Sequence, residues 1–326
     1  MTFQGPAITN LQDRTEYESW LLEEVYEITD QRIAVEGVDE LVYPPTGAPP
    51  TQTVYGMASI NIGDWRPGFL EAGAPLVLVT AFKLLDMILE WVLVQNGQPA
   101  TFRFSQKLVA LQGSIQFPQL IASRPWLQRR LLSLYTGLEP LRGTIIHDRH
   151  FQTSSGDLRV AISKKGSVRA PVALAAADLR RISAFGVSLI RYLEGTWALD
   201  LFREKRLRFW LDQLAHVHNE PLLGQQEPGF LNIRIYSKPA AVFSVDLPKL
   251  RRDAIAKRPG QDVLFDVKLV VADPISLSAR AFLIPWSRHE QERASLQLTP
   301  AELETMPCPL PGGLNIEQLV SQLTAG

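Results

Sequence analysis

The chain has 326 residues, with 33 Lys and Arg against 34 Asp and Glu, and 46% of its residues are hydrophobic. That balance excludes a disordered or fibrous chain and leaves room for one large domain or two ordinary ones. The single cysteine, Cys308, excludes an internal disulfide framework and a clustered thiolate metal site, and it fits a reducing compartment.

The net charge of −1 conceals a strong segregation: residues 1–74 hold twelve acids and three bases, whereas residues 123–210 hold sixteen bases and seven acids. Either the two stretches pack together and neutralise, or Arg124, Arg129, Arg130, Lys164, Lys165, Arg180 and Arg181 form a basic surface for phosphates. The opening Met1-Thr2-Phe3-Gln4 lacks a basic-then-apolar signal pattern, so a cytoplasmic protein is expected.

From Thr15 to Arg32, Tyr17, Trp20, Leu21, Val25 and Ile28 recur at three and four, which predicts an amphipathic helix with these residues on its apolar face. A Pro/Gly-rich connection runs from Tyr43 to Gly73. Leu76 to Val94 is apolar on nearly every side, but Lys83, Asp86 and Glu90 would be costly in lipid, so the segment reads as a buried helix with one polar edge and no membrane span is expected. Phe104 to Leu111 predicts a short helix. Another covers Phe117 to Tyr135, broken near Pro125 and ended by Gly137, and Pro140 then opens a new helix with Arg142 in its first turn.

Beyond His150 the pattern alternates. Leu158, Val160 and Ile162, the Lys164-Lys165-Gly166 turn and Val168 to Val172 predict a hairpin. Asp178 is the expected N-cap of a long helix reaching about His216, kinked at Gly195, with Arg203 to Arg208 as its solvated face. From Pro228 onward, strands are predicted at Phe230–Tyr236, Ala241–Val245, Val263–Val271 and Ser278–Ile284, with helices at Leu247–Lys257 and Ile316–Leu323. The fold class is therefore α+β, with a helical domain over residues 1–218 and a smaller β-rich domain over 219–326.

The chemistry-bearing stretch is Leu141-Arg142-Gly143-Thr144-Ile145-Ile146-His147, an arginine and a histidine separated by four residues. Five steps along an ideal helix leave the pair roughly 140° apart. They converge only if the helix is irregular there or a second copy completes the site. The expected role of Ile145 and Ile146 is to anchor this segment in the core. His147 with His150, and His216 with His218, make a metal site conceivable, yet neither pair has a carboxylate at zinc-signature spacing, and no metal is expected. No phosphate-cradling glycine loop or nucleophile elbow is present, and Cys308 between two prolines reads as structural.

The arginine–histidine stretch, preceded by Phe82-Lys83-Leu84-Leu85-Asp86-Met87-Ile88-Leu89-Glu90, resembles the HEPN superfamily of helical domains over roughly residues 76–215. The resemblance implies a HEPN-like bundle with an inserted β-hairpin and metal-independent endoribonuclease activity without a cofactor. Two subunits would join their motifs in one cleft, in a setting of stress or phage defence. Arg142 and His147 would be catalytic, Asp86, Glu90 and His150 supporting, and Arg129, Arg130, Arg149, Lys164 and Lys165 would contact RNA. His147 would move the proton of a ribose 2′-hydroxyl, and Arg142 would neutralise the phosphorane. Gly143 stands where the family commonly has a polar residue, often asparagine, and Arg149 stands where one branch has a modified tyrosine. The alternative is a non-catalytic protein that uses the helical domain for dimerisation or RNA binding and the C-terminal domain to bind a protein partner.

Overall fold

The computed structural model describes residues 6–28, 38–55, 65–98, 103–148, 150–164, 167–168 and 171–325. They form two compact units of a mixed α and β protein, one drawn from positions 1–35 and 58–225, the other from 36–57 and 226–326. The second unit thus begins well before residue 219, because Val38–Val42, just before the expected Pro/Gly-rich connection, and Thr51–Tyr55, within it, are strands of its sheet.

The first unit holds helices α1 (Pro6–Ile28), α2 (Trp65–Gln95), α3 (Phe104–Leu111), α4 (Gln119–Ala122), α5 (Pro125–Gly143), α6 (Ala176–Glu194), α7 (Leu201–Gln213) and α8 (Ala215–His218). At its centre lies α2, whose Leu84, Leu85, Ile88, Leu89, Trp91 and Val92 are all buried, a run that no single helix face can present. Such a helix must be enclosed, and α1, α5 and α6 pack around it. No helix of the described residues is long and apolar enough to cross a membrane.

Four local expectations change. On α1 the buried face carries Leu11, Thr15, Glu18, Ser19, Leu22 and Val25, while Tyr17 and Trp20 are exposed. The spacing identified the helix, but the aromatic rings tolerate the surface that Glu18, ion-paired with Lys83, does not occupy. The long helix expected after Asp178 is three: Gly195 takes a left-handed conformation (φ 77°) and ends α6, and Asp200 caps α7 by accepting from Arg203 N–H at 2.8 Å. Asp178 is not the cap itself; three residues inside, its carboxylate accepts from Ala175 N–H. The hairpin is a three-stranded sheet of Phe151–Ser154, Asp157–Val160 and Val172–Leu174, turned at Ser155-Gly156, where both residues have positive φ. Ser163–Lys164 and Ser167–Val168 pair as a small separate ladder.

The second unit is a six-stranded mixed sheet in the order Pro307–Cys308, Ser278–Ile284, Asp262–Asp273, Pro228–Ser237, Val38–Val42, Thr51–Tyr55. Pro228–Ser237 is parallel to both its neighbours, and the other pairings are antiparallel. Parallel neighbours need a crossover, which α9 (Leu247–Lys257) provides between Pro228–Ser237 and Asp262–Asp273. Leu231, Ile233, Phe265 and Val267 bury one face with Leu247 and Leu250 of α9. Val270, Ala272 and Ala281 bury the other with Leu319 and Val320 of α10 (Ile316–Ala325). The pairing of Leu41 with Ile233 recruits the early strand. Glu40, buried, ion-pairs with Arg234.

Candidate functional site

The helix that carries Arg142 does not begin at Pro140. Leu127, Leu131, Leu134, Leu138 and Leu141 are buried at alternating spacings of four and three, so α5 runs through Pro140 to Gly143, because the continuous apolar face outweighs the one backbone bond proline cannot make. Gly137 is likewise internal. An added Cβ there would lie 2.2 Å from the carbonyl oxygen of Val217, so the glycine permits close approach to α8 instead of ending the helix.

Arg142 therefore stands in the last turn of α5. The chain then widens into a π-turn over Thr144–Asp148, where the Thr144 hydroxyl donates to the carbonyl of Pro140 at 2.9 Å. A π-turn closes over one more residue than an α-turn and is frequent at functional sites. A wider turn advances fewer degrees per residue, so the roughly 140° of an ideal helix does not carry over to Arg142 and His147. His147 is exposed, and so is Ile146, while Ile145 is buried. Only one of the two isoleucines anchors the turn, since adjacent helical positions point in different directions.

The Arg142 guanidinium lies 5.5 Å from the centre of the Phe104 ring, a cation–π distance. Lys107 Nζ lies 5.1 Å from the same ring. Phe104 in turn packs edge-on against Phe82, which stacks on Tyr135 at 5.1 Å. Among the described residues no carboxylate forms an ion pair with Arg142.

Among the described residues, Asp86 and Glu90 pair with Lys107 and not directly with Arg142 or His147. Both oxygens of Asp86 accept from Lys107 Nζ at 2.8 Å, and one also accepts from the Tyr135 hydroxyl. Glu90 pairs with Lys107 at 2.5 Å and with Arg14 at 3.3 Å. Lys107 is 2% exposed. A buried ammonium ion demands charged partners, and these two acids meet that demand. Burial and the hydrogen bond to Asp86 push the Tyr135 phenol well above its ordinary range. The residues missed from sequence are Lys107, Arg14, Tyr135 and Phe104. Lys107 had one local signal, a lysine three residues after Phe104 on the apolar side of a short helix.

The basic segment is largely engaged with its own acids. Arg130, expected at RNA, is buried, pairs with Asp212 at 3.1 Å and donates to the carbonyl of Pro221. Burial lowers its affinity for its proton, against the pull of Asp212 and Glu220. Arg124 and Arg208 share Glu204 at 2.9 and 2.6 Å, and Arg181 pairs with Asp178. Arg191 reaches back to Glu23 of the acidic segment at 3.2 Å. Arg203 to Arg208 is thus a paired face, with Arg206 4.5 Å from the Phe202 ring. Arg129 is exposed. Arg149 and Lys165 lie outside the described residues, as does the side chain of Lys164.

The histidines do not assemble a metal centre. His150 is exposed beyond the π-turn, and His216 pairs with Asp178 at 3.3 Å. Both nitrogens of buried His218 are occupied: Nδ1 accepts from Glu220 N–H at 3.0 Å, which makes Nε2 the donor to the Leu211 carbonyl at 2.7 Å. Among the described residues no group of three or more His, Cys, Asp or Glu could hold an ion. Burial raises the Cys308 thiol above its ordinary range, which disfavours the thiolate a nucleophile needs.

Arg142, half-buried in the last turn of α5, and His147, exposed on the π-turn that follows, set a cation and an imidazole five residues apart. Set beside known proteins, the chain matches no family model, no curated protein and no solved structure.

Proposed function

We propose that the protein is a metal-independent endoribonuclease of HEPN type, acting on RNA as a homodimer in stress or phage defence. The observation that carries this reading is Arg142 itself: its guanidinium rests on Phe104 and, among the described residues, is ion-paired to no acid, whereas Arg130 of the same helix is spent on Asp212. A half-buried cation without a counter-charge suits a phosphate. In the reaction His147 accepts the proton of the 2′-hydroxyl as its oxygen attacks the adjacent phosphorus, and Arg142 meets the charge that develops on the phosphorane. The 5′-oxygen leaves with a proton from the histidine of the second subunit, so a cyclic phosphate and a free 5′-hydroxyl result. Asp86 and Glu90 act on Arg142 only indirectly, by holding Lys107 beside the Phe104 ring that Arg142 also contacts.

The test is incubation of the purified protein with total RNA beside an Arg142→Ala/His147→Ala variant of equal stability. Cleavage by the native chain and a loss of about 10²–10⁴-fold in the variant are expected; equal cleavage by both sinks the assignment. A second reading, a non-catalytic dimerisation or RNA-binding protein with the second unit as adaptor for a protein partner, is favoured by Gly143. A Cβ there meets nothing within 4 Å, so Gly143→Asn fits without strain. If the native chain binds RNA without cutting it and the asparagine variant does not gain cleavage, the second reading stands.

A further inference from the structure

A groove of about 430 Å³ runs between α1 and α6, lined by Asp13, Glu16, Ser19, Trp20, Glu23 and Glu194 together with Arg191. Arg191 pairs with Glu23. Asp13, Glu16 and Glu194 form no ion pair among the described residues. Trp20 stands on the rim, 52% exposed, with its ring 6.2 Å from that of Tyr17. On the floor Ser19 is only 8% exposed, and its Oγ has no hydrogen-bond partner. A buried hydroxyl without a partner is uncommon and calls for one.

We propose that this groove binds a linear aliphatic polyamine, with ammonium groups on Asp13, Glu16 and Glu194 and the methylene stem against Trp20. A single metal ion does not suit it: the acids form a row along α1 and α6, and no group of three or more His, Cys, Asp or Glu among the described residues could hold an ion. A chain of ammonium groups spans such a row. The Trp20 face attracts cations and covers apolar stems, and Ser19 Oγ can accept an ammonium proton. Burial raises Glu194 above the ordinary carboxylate range and Glu23 adds to this, against the pull of Arg191, Thr196 and Gln12. Its charge is thus under-compensated without a ligand. This inference stands apart from the endoribonuclease reading and shares no residue with it.

Isothermal titration of the full-length chain with spermidine tests it. Saturable one-to-one binding is expected, weakened about tenfold in Glu16→Gln/Glu194→Gln and about threefold in Trp20→Ala, and unchanged in Glu24→Gln, an acid of α1 outside the groove. Thermal melts check that each variant is folded; should the double variant not fold, Trp20→Ala decides. Unchanged affinity in the folded groove variants overturns the proposal. So does magnesium chloride that matches the spermidine heat at equal ionic strength, which would reduce the groove to a counterion atmosphere. Tighter binding of a lysine-rich peptide than of spermidine at these residues also overturns it, in favour of a protein partner.

Discussion

Each unit buries a basic side chain, and the two do so in opposite ways. In the first, Lys107 is enclosed with Asp86 and Glu90 as direct partners and Tyr135 and Arg14 behind them. In the second, His289 is fully buried among Phe265 and Trp286, whose rings lie 5.0 and 5.2 Å away. Neither of its ring nitrogens makes a well-formed hydrogen bond, and the Trp286 indole N–H is also unpartnered. Arg251 crosses the same cluster, 5.5 Å from the Trp286 ring, and donates to the His289 carbonyl. The charged cluster is fixed by its partners. His289, beside the Arg251 guanidinium, is tolerated only as a neutral imidazole.

The comparison breaks most severely at Lys107. Lys107→Met removes the shared counter-charge of two carboxylates and is expected to destabilise the first unit by about 3–5 kcal/mol. Amide hydrogen exchange along α2 and α3 reads this loss locally, and exchange in the sheet of the second unit should be unaltered. Adding Asp86→Asn to Lys107→Met should recover part of the loss, because one stranded charge is gone; no recovery would mean that packing, not charge, holds the cluster.

Next in size is the pH response of the second unit. Burial, with Arg251 adding repulsion, holds His289 down to about 4 from its ordinary 6.5, although the carbonyls of Phe265 and His289 pull the other way. The unfolded chain therefore takes up a proton that the folded unit refuses. Stability is complete above about pH 6.5 and falls as pH drops towards 4, by about 3 kcal/mol across that window. In His289→Leu this part of the pH dependence should vanish. Exchange from the strand Asp262–Asp273, followed between pH 7 and pH 4.5 and corrected for intrinsic exchange rates, measures it. An undiminished acid response in the leucine variant would assign the effect to other groups.

These clusters also mark what could be read without coordinates. The enclosed helix α2 and the strands at Pro228–Ser237, Asp262–Asp273 and Ser278–Ile284 were legible, because all-round apolarity and alternation are local signals. Val38–Val42 was not, since its reason to be a strand is Ile233, nearly two hundred positions away, and Pro44-Pro45 and Pro49-Pro50 on its flank argued for a loop. Within the candidate site, the pattern of Arg142 and His147 was visible from spacing. Its support was not: Lys107 and Phe104 come from α3 and Arg14 from α1, and only packing places them beside Asp86, Glu90 and Arg142. Pro140 misled for the opposite reason, as a strong local rule overridden by the buried leucines of α5.

The smallest effect sharpens the contrast between the clusters most directly. Tyr135→Phe removes a hydroxyl that donates to Asp86 and leaves the ring stacked on Phe82. Asp86 keeps both contacts to Lys107, so no charge is stranded and the expected loss is that of one hydrogen bond to a charged acceptor, about 1.5–3 kcal/mol at most. Where a polar group already lacks a partner, deletion should cost nothing or help: at pH 7.5 the His289→Leu variant is expected to match or exceed the native stability of its unit. The two substitutions, compared by hydrogen exchange in one buffer, should thus differ in sign. If both destabilise alike, the imidazole contributes through packing with Phe265 and Trp286 as much as the phenol does through its bond.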